Sequence, residues 1–495
     1  MLCKINSVSL FGISGIACNV EVDTSNGIPN IKIIGQISNT CKEISSRAII
    51  AIKNSGFKYI PKKITVNISP VEIPKLGSSL DLAICIGIIN NLGYISTFIG
   101  NHIFMIGEVG LDGGIHKVNG IVPMLLSAKK SGSKICFIPY ENKYESNIIK
   151  DLTIICVKSL REVVNILNNK AFDSNNICDI RPCIDEDIIN FNQIYSQSLA
   201  SRVCLISAAG NHHLLMSGPK GIGKTMLANA MIGILPDLTN SELLEVNTIY
   251  SAYGMNIGSD IINGRPFRAP NSTITKSMLL GNFNRQIVGE ITLAHKGILF
   301  IDEFNLLSSE AINCLRLPLE NKLINTTYLK RSISYPADFL FIAAMNSCPC
   351  GEFPDLNKCK CSFNAIKKYR EKINNPILDR IDLVINMNKV AERNKSDYDS
   401  VKMKNIVTKI RDIQLSRNEG KLNSELTLFQ IQKYSKIDKH LIKKVHILFE
   451  DLHLSFRGYK RVLNIARTIA DIDGSEVVKD SHIEESIFLE RGRYW

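Results

Sequence analysis

The sequence predicts an α/β chain of about three domains, on three observations. Strand-length apolar runs alternate with helix-length stretches along most of the chain. A glycine-rich loop at 218–225 joins one such strand to one such helix, and 495 residues exceed what a single core usually serves. Hydrophobic residues make up 45% and charged residues 21%, so each domain can bury an ordinary core, and wholesale disorder is excluded.

In residues 1–167, apolar runs at Ile31–Ile34, Ile64–Ile68, Ile103–Ile106, Ile135–Ile138 and Thr153–Val157 predict strands, while Ser45–Asn54 and Val122–Lys130 predict helices. This is an α/β or α+β domain. The periodicity fails in the polar stretch from Asn168, which makes 168–190 the linker. A second alternation fills 191–390. Strands at Leu214–Ser217, Ile298–Ile301 and Phe339–Ala343, with helices between them, read as a parallel sheet wound by crossovers. After the charged, Asn-rich stretch Lys389–Asn405, helical segments at Ile406–Leu415, Leu441–Leu448 and Val462–Ala470 predict a small helical lid over 391–495.

Fifty-nine Lys and Arg against 47 Asp and Glu leave a formal charge of +12, and two readings account for it. One is a polyanionic partner such as nucleic acid. The other is a set of solvated faces, since 40 of the 59 basic residues are Lys. The opening MLCKINSVSLFG lacks the pattern of a secretory signal, and apolar stretches such as Leu82–Ile89 fall far short of the ~18 residues needed to cross a bilayer. A cytoplasmic protein without a membrane partner is expected. Ten of the 14 cysteines stand singly in apolar segments, as small buried hydrophobes do; four crowd into Cys348–Cys361.

Gly218-Pro219-Lys220-Gly221-Ile222-Gly223-Lys224-Thr225 follows an apolar strand and precedes the helical run Met226–Leu235, the context a phosphate-binding loop requires. Its glycines let backbone N–H groups curl around phosphates, Lys224 offsets charge on the β and γ oxygens of ATP, and Thr225 offers a hydroxyl to Mg²⁺. Downstream, the strand Ile298–Ile301 ends in Asp302 and Glu303, suited to Mg²⁺ coordination and water activation respectively. A third strand ends at Asn346, whose amide can orient the attacking water. Arg380, in Leu378-Asp-Arg-Ile-Asp382, can stabilise transferred-phosphoryl charge from a neighbouring subunit. In the lid, Arg457 is the first choice for an arginine that reports nucleotide state, with Arg461 in reserve. Cys348, Cys350, Cys359 and Cys361 form C-x-C, eight residues, C-x-C; four thiolates in 14 residues can wrap one Zn²⁺, or stand as reduced free thiols.

With these residues in place, the chain resembles the YifB/ComM family of magnesium-chelatase-like AAA+ ATPases over nearly its whole length. The carriers are GFKYIPKKITVNISPVEIPKLGSSLDLAICIG from Gly56, RPFRAP from Arg265, GEITLAHKGILFIDE from Gly289, AAMNSCPCG from Ala343, LDRID from Leu378 and ARTIADIDGS from Ala466. The resemblance implies a Lon-protease-like (ribosomal S5 domain 2-like) front domain, a P-loop AAA+ core and a helical lid. It also implies a homo-hexameric ring in which a helix-2 insertion near 252–295 and a hairpin near 321–336 face a central channel. Arg265, Arg268, Lys276, Lys322, Lys330 and Arg331 fall in those segments. Characterised members resemble helicases driving DNA branch migration during natural transformation, so ATP hydrolysis coupled to movement of single-stranded or branched DNA is the implied function. A magnesium-chelatase-type motor subunit, and a nucleotide-gated scaffold recruiting a protein partner through the front domain, stay open beside it.

The chain departs from the family pattern where Asn271 and Ser272 replace paired histidines, Lys220 a proline and Leu317 a glutamine. In the Lon-like domain, Lys75-Leu-Gly-Ser-Ser79 supplies a serine, but Val122 stands where the partner lysine belongs, and Lys117 is five residues away. Peptidase activity is not expected, because a serine without a base is not activated.

Overall fold

The computed structural model describes residues 2–35, 39–72, 75, 77–97, 99–169, 189–195, 197–255, 261–282, 287–328, 331–373, 375–388, 398–437, 441, 445 and 455–491. They divide into two compact units, Met1–Ile184 with Thr239–Asn263, and Asp185–Leu238 with Gly264–Trp495. The expected linker lies mostly outside the described residues. The 191–390 boundary drawn for the ATPase core departs from this division at one segment: residues 239–263 group with the front unit.

The front unit is built on a seven-stranded mixed sheet. Strands β1 (Leu2–Phe11) and β2 (Ser14–Ser25) form a long antiparallel hairpin that turns at Gly12, and β3 (Asn30–Ile34) runs parallel to β4 (Lys63–Ser69), which pairs antiparallel with β2. On the other side of β1, β5 (Ile103–Met105), β8 (Ile135–Pro139) and β9 (Thr153–Val157) add in parallel, for the order β3-β4-β2-β1-β5-β8-β9. Between β5 and β8, β6 (Glu108–Val109) and β7 (Ile115–His116) make a small hairpin. Every second residue of β4, Ile64, Val66 and Ile68, is buried, the period-2 signature of a strand with one face on the core. Helices Asn39–Asn54 and Asp81–Asn91 belong to the cluster on that face.

Helix Ile121–Lys130 closes the opposite face over Val8, Phe104, Cys136 and Ile138. Helix Asn240–Ala252, opened by a capping box in which the Thr239 hydroxyl and the Glu242 carboxylate exchange bonds with each other's backbone N–H, packs against it. Here lies the physical reason that 239–263 joins the front unit. The Ser251 hydroxyl donates to Glu145 Oε2 at 2.8 Å, the Gly120 N–H donates to the Ser251 carbonyl at 2.7 Å, and Leu244 packs into the apolar cluster.

The second unit centres on five parallel strands in the order β11-β14-β17-β10-β18: β10 (Leu214–Gly218), β11 (Phe267–Arg268), β14 (Ile298–Ile301), β17 (Leu340–Asn346) and β18 (Leu383–Asn386). Helices cover both faces, so β10, β14 and β17 are apolar and buried nearly end to end rather than alternating. Two hairpins interrupt the core, β12 (Gly281–Asn282) with β13 (Ile287–Val288) and β15 (Leu323–Tyr328) with β16 (Arg331–Pro336). The lid helices Ser400–Arg417 and Phe456–Ile472 pack on helix Ser198–Gly210 beside β10. Of the expected helix at 441–448 only residues 441 and 445 are described. Among the described residues no helix is long and apolar enough to cross a membrane.

Gly297, just before β14, has no room for a side chain: a Cβ there would sit 1.9 Å from the Pro266 carbonyl oxygen. The Ile298 N–H donates to that same carbonyl at 2.8 Å, so the contact sets the β11–β14 register. Gly297→Ala is therefore expected to destabilise the second unit by about 3 kcal/mol, the upper range for overpacking, read as a lower thermal midpoint. A midpoint equal to the parent's would contradict that packing.

Candidate nucleotide site

The parallel register assembles the site. Gly218, the last residue of β10, pairs with Asn346, the last residue of β17, so the phosphate loop and the expected sensor amide leave the sheet side by side at its carboxyl edge. Gly221 and Gly223 take φ of +73° and +95°, a left-handed conformation that favours glycine, and nothing lies within 4 Å of where their Cβ atoms would be. That open space is where phosphates approach the backbone. Helix Lys224–Met231 starts at once, aiming its unpaired N–H groups and the positive end of its dipole into the same space.

Lys224 Nζ donates to the Gly218 and Pro219 carbonyls, each at 2.8 Å, and to Asn346 Oδ1 at 3.2 Å. Burial pulls its pKa below the ordinary lysine value, while the charge of Asp302 pulls it back. The Thr225 hydroxyl donates to Asp302 Oδ2 at 2.8 Å, and the Glu303 N–H donates to Asp302 Oδ1 at 2.8 Å. Glu303 itself has a left-handed backbone, φ +49°, the strained geometry that recurs at functional sites. A cavity of about 640 Å³ opens over these groups and takes in the loop, Asp302, Glu303 and Asn346. The donor set fits Mg²⁺ and a nucleotide: a hydroxyl and a carboxylate oxygen already in contact can share one hard cation, and an ammonium beside a glycine-rich helix start matches a polyphosphate.

Two further residues contribute: Ser272, which the sequence marks only as a departure from a family histidine, and Glu320, which it does not mark. Ser272 lines the cavity and donates to Glu303 Oε2 at 3.4 Å, so the position where a family histidine is replaced lies against the expected water-activating carboxylate. Glu320 gathers both arginine candidates: it accepts from Arg380 through Oε2 and from Arg457 through Oε1, the latter at 2.9 Å. None of these three lines the nucleotide cavity of its own chain. The reserve choice, Arg461, is corrected. It forms a two-pronged bond to Glu490 at 3.0 and 2.7 Å, both partners 5% exposed or less, and so is a packing element rather than a nucleotide reporter.

Three family descriptions cover most of the chain: "Subunit ChlI of Mg-chelatase" at residues 20–142, "Magnesium chelatase, subunit ChlI" at 190–395 and "Magnesium chelatase, subunit ChlI C-terminal" at 397–489. Competence protein ComM of Haemophilus influenzae is 32% identical over 98% of this chain and 97% of its own length. A protein called YifB from Escherichia coli is 32% identical over 98% of this chain and 96% of its own. The chain belongs to the YifB/ComM family. A Lon protease of Buchnera aphidicola is 29% identical over 31% of this chain and 21% of its own length, a likeness that falls in the N-terminal region. The family carries an AAA+-type module and implies nucleotide and Mg²⁺, which the loop, Thr225 and Asp302 are built to receive.

In the Lon-like front domain, Ser79 and the lysine candidates Lys75 and Lys117 each have a partner of their own. The Ser79 hydroxyl donates to the Val8 carbonyl at 3.0 Å, Lys75 Nζ donates to the Pro70 carbonyl, and Lys117 pairs with Glu145 at 3.1 Å. Three of the six cations expected to face a channel have acceptors within the chain. Arg265 donates to the Pro236 and Lys296 carbonyls, Arg268 holds Glu290 through two bonds of 2.6 and 2.8 Å, and Lys322 pairs with Asp338 at 2.9 Å and with Glu425. Lys276 is exposed; Lys330 and the side chain of Arg331 lie outside the described residues.

The four cysteines come together. Their Sγ atoms all lie within 4.8 Å of one another, with Cys348 buried and the others half-buried.

Arg457 and Arg461 are separable by stability. Arg461→Ala removes both bonds from the guanidinium to the buried Glu490 carboxylate and is expected to cost about 3–5 kcal/mol, whereas Arg457→Ala breaks a half-exposed pair and should cost under about 1 kcal/mol. Thermal unfolding reads the difference; equal losses would contradict the division of roles.

Proposed function

We propose that the chain is an ATP-hydrolysing ring motor that moves DNA, taking single-stranded or branched DNA during recombination. The carrying observation is the register that sets Gly218 beside Asn346 and brings Lys224, Thr225, Asp302 and Glu303 to one cavity. In this reading Lys224 exchanges its carbonyl partners for the β and γ phosphates, and Thr225 and Asp302 hold Mg²⁺. The bound ion would draw negative charge from the phosphate oxygens. Glu303 takes a proton from the attacking water, Asn346 orients that water, and Ser272 sets the Glu303 carboxylate. Arg380 and Arg457, which share Glu320 within their own chain, act on the nucleotide of the neighbouring copy in a homo-hexamer, as an arginine supplied in trans would.

ComM is named as a competence protein, and that name is the reason for choosing DNA. With Arg265, Arg268 and Lys322 tied to internal acceptors, Lys276, Lys330 and Arg331 are the cations proposed to meet the phosphate backbone, and the interaction would weaken steeply with salt.

One structural feature favours a second reading, a nucleotide-gated scaffold whose front unit recruits a protein. Residues 239–263 lie between the phosphate loop and β14 in sequence yet belong to the front unit, which gives nucleotide state a covalent route to that unit. ATPase assays with and without branched DNA separate the two. The motor reading expects DNA to raise turnover about tenfold or more and Glu303→Gln to lower it by at least ~100-fold while nucleotide still binds. Turnover indifferent to DNA but raised by a protein partner would favour the scaffold.

A further inference from the structure

The cysteine cluster sits where the fold puts the nucleotide machinery, and neither the family descriptions nor the names of the relatives assign it a role. We infer that Cys348, Cys350, Cys359 and Cys361 bind one zinc ion, and that the ion braces the phosphate-binding loop through the turn at Gly351.

The distances fit zinc. A tetrahedral tetrathiolate with Zn–S near 2.3 Å has sulfur–sulfur edges of about 3.8 Å. Cys359 Sγ lies 3.7 Å from both Cys348 Sγ and Cys350 Sγ, and Cys348 lies 3.3 Å from Cys350. All are too long for a disulfide, whose sulfurs stand about 2.05 Å apart. The C-x-C spacing differs from the usual two-residue knuckle, so the turn must be made in the intervening chain. Gly351, immediately after Cys350, supplies it with φ +77°.

The surroundings are those of a metal thiolate. The Phe353 N–H donates to Cys348 Sγ at 3.4 Å, the kind of outer bond that orients a ligand sulfur and offsets its charge. Arg370 donates from Nε to the Ser347 carbonyl at 3.0 Å and lies 5.2 Å from the Phe353 ring centroid, which sets a cation beside a cluster that carries two net negative charges once zinc is bound. The remaining described cysteines, by contrast, are scattered through the apolar cores.

The bracing follows from two contacts. The Lys220 N–H, inside the phosphate loop, donates to the Gly351 carbonyl at 3.0 Å, and the Lys220 ammonium lies 3.7 Å from Glu352. Cys348 is also only two residues beyond Asn346, which touches Lys224. A metal fixing Cys348 and Cys350 therefore fixes Gly351, and with it one wall of the loop, as well as the chain leaving the sensor strand. Without the metal, that wall is a flexible loop whose ordering must be supplied each time nucleotide binds, which lowers affinity.

The link to nucleotide rests on the ATP reading proposed above; the metal content does not. Full-length protein purified without chelator should carry about one zinc per chain by elemental analysis. Cys350→Ser with Cys361→Ser should lose it, and Cys361→His, which replaces the thiolate with a nitrogen ligand, should retain it. Protein loaded with Co²⁺ instead should show the visible absorption of a tetrahedral cobalt thiolate, which free thiols do not give. Fluorescent ADP binding to the zinc-free double variant, checked by circular dichroism for retained secondary structure, should weaken by at least about fivefold, and Cys361→His should restore it. Less than about a fifth of an ion per chain, iron in place of zinc, or a disulfide at these positions would overturn the site. Zinc present with ADP affinity unchanged on its loss would overturn the bracing. Failure of the parent protein to bind ADP at all would instead count against the ATP reading and leave the zinc site standing.

Discussion

The pairing of β10 with β17 is the constraint on which the site depends. Because the strands are parallel and in register, all their carboxyl ends emerge on one edge, and whatever follows each strand must share that edge. The phosphate loop follows β10; the sensor amide ends β17; the Asp302–Glu303 pair follows β14, itself paired with β17. A shift of one residue between β10 and β17 would part Lys224 from Asn346 and turn every buried side chain of β10 over.

That logic explains what was legible beforehand. The five apolar runs predicted as strands in 1–167 are β3, β4, β5, β8 and β9, and the three predicted in the second block are β10, β14 and β17. What escaped notice has identifiable causes. In β1, Ser, Asn and Lys dilute the alternation; β2 does alternate, with Cys18, Val20 and Val22 buried between Asn19, Glu21 and Asp23, but it offers no continuous apolar run. Strand β11 is two residues long, held by the close approach at Gly297 rather than by any hydrophobic pattern. The loop, Asp302, Glu303 and Asn346 could be found because each ends or begins an apolar strand. Glu320 could not, because its partners lie 60 and 137 residues away and nothing local marks it; Ser272 is marked only by its place after RPFRAP, and its partner lies 31 residues away.

Charge gives a second lesson. A net +12 invited a polyanion, yet the side chains show how basic residues are consumed by the fold. Arg461 and Arg467 lie buried with Glu490 and Asp471, Arg417 joins Asp471 at 2.6 Å, and Arg265, Arg268 and Lys322 hold loops to the core. Each is an intramolecular strut. The contrast between exposed Arg457 and buried Arg461, four residues apart on one helix, shows that position on a helix face, not residue type, decides which arginine the core consumes. Glu320 holds Arg380 and Arg457 together, Arg380 mostly buried and Arg457 exposed.

Mg²⁺-nucleotide is proposed to bind at the carboxyl edge of β10 through Lys224 and Thr225. Equilibrium titration of fluorescent ATP into the parent protein and into Lys224→Ala, with and without Mg²⁺, addresses it directly. Mg²⁺ should strengthen binding to the parent, and affinity should fall by about 100-fold or more in the variant. Equal affinity in the two proteins would contradict it.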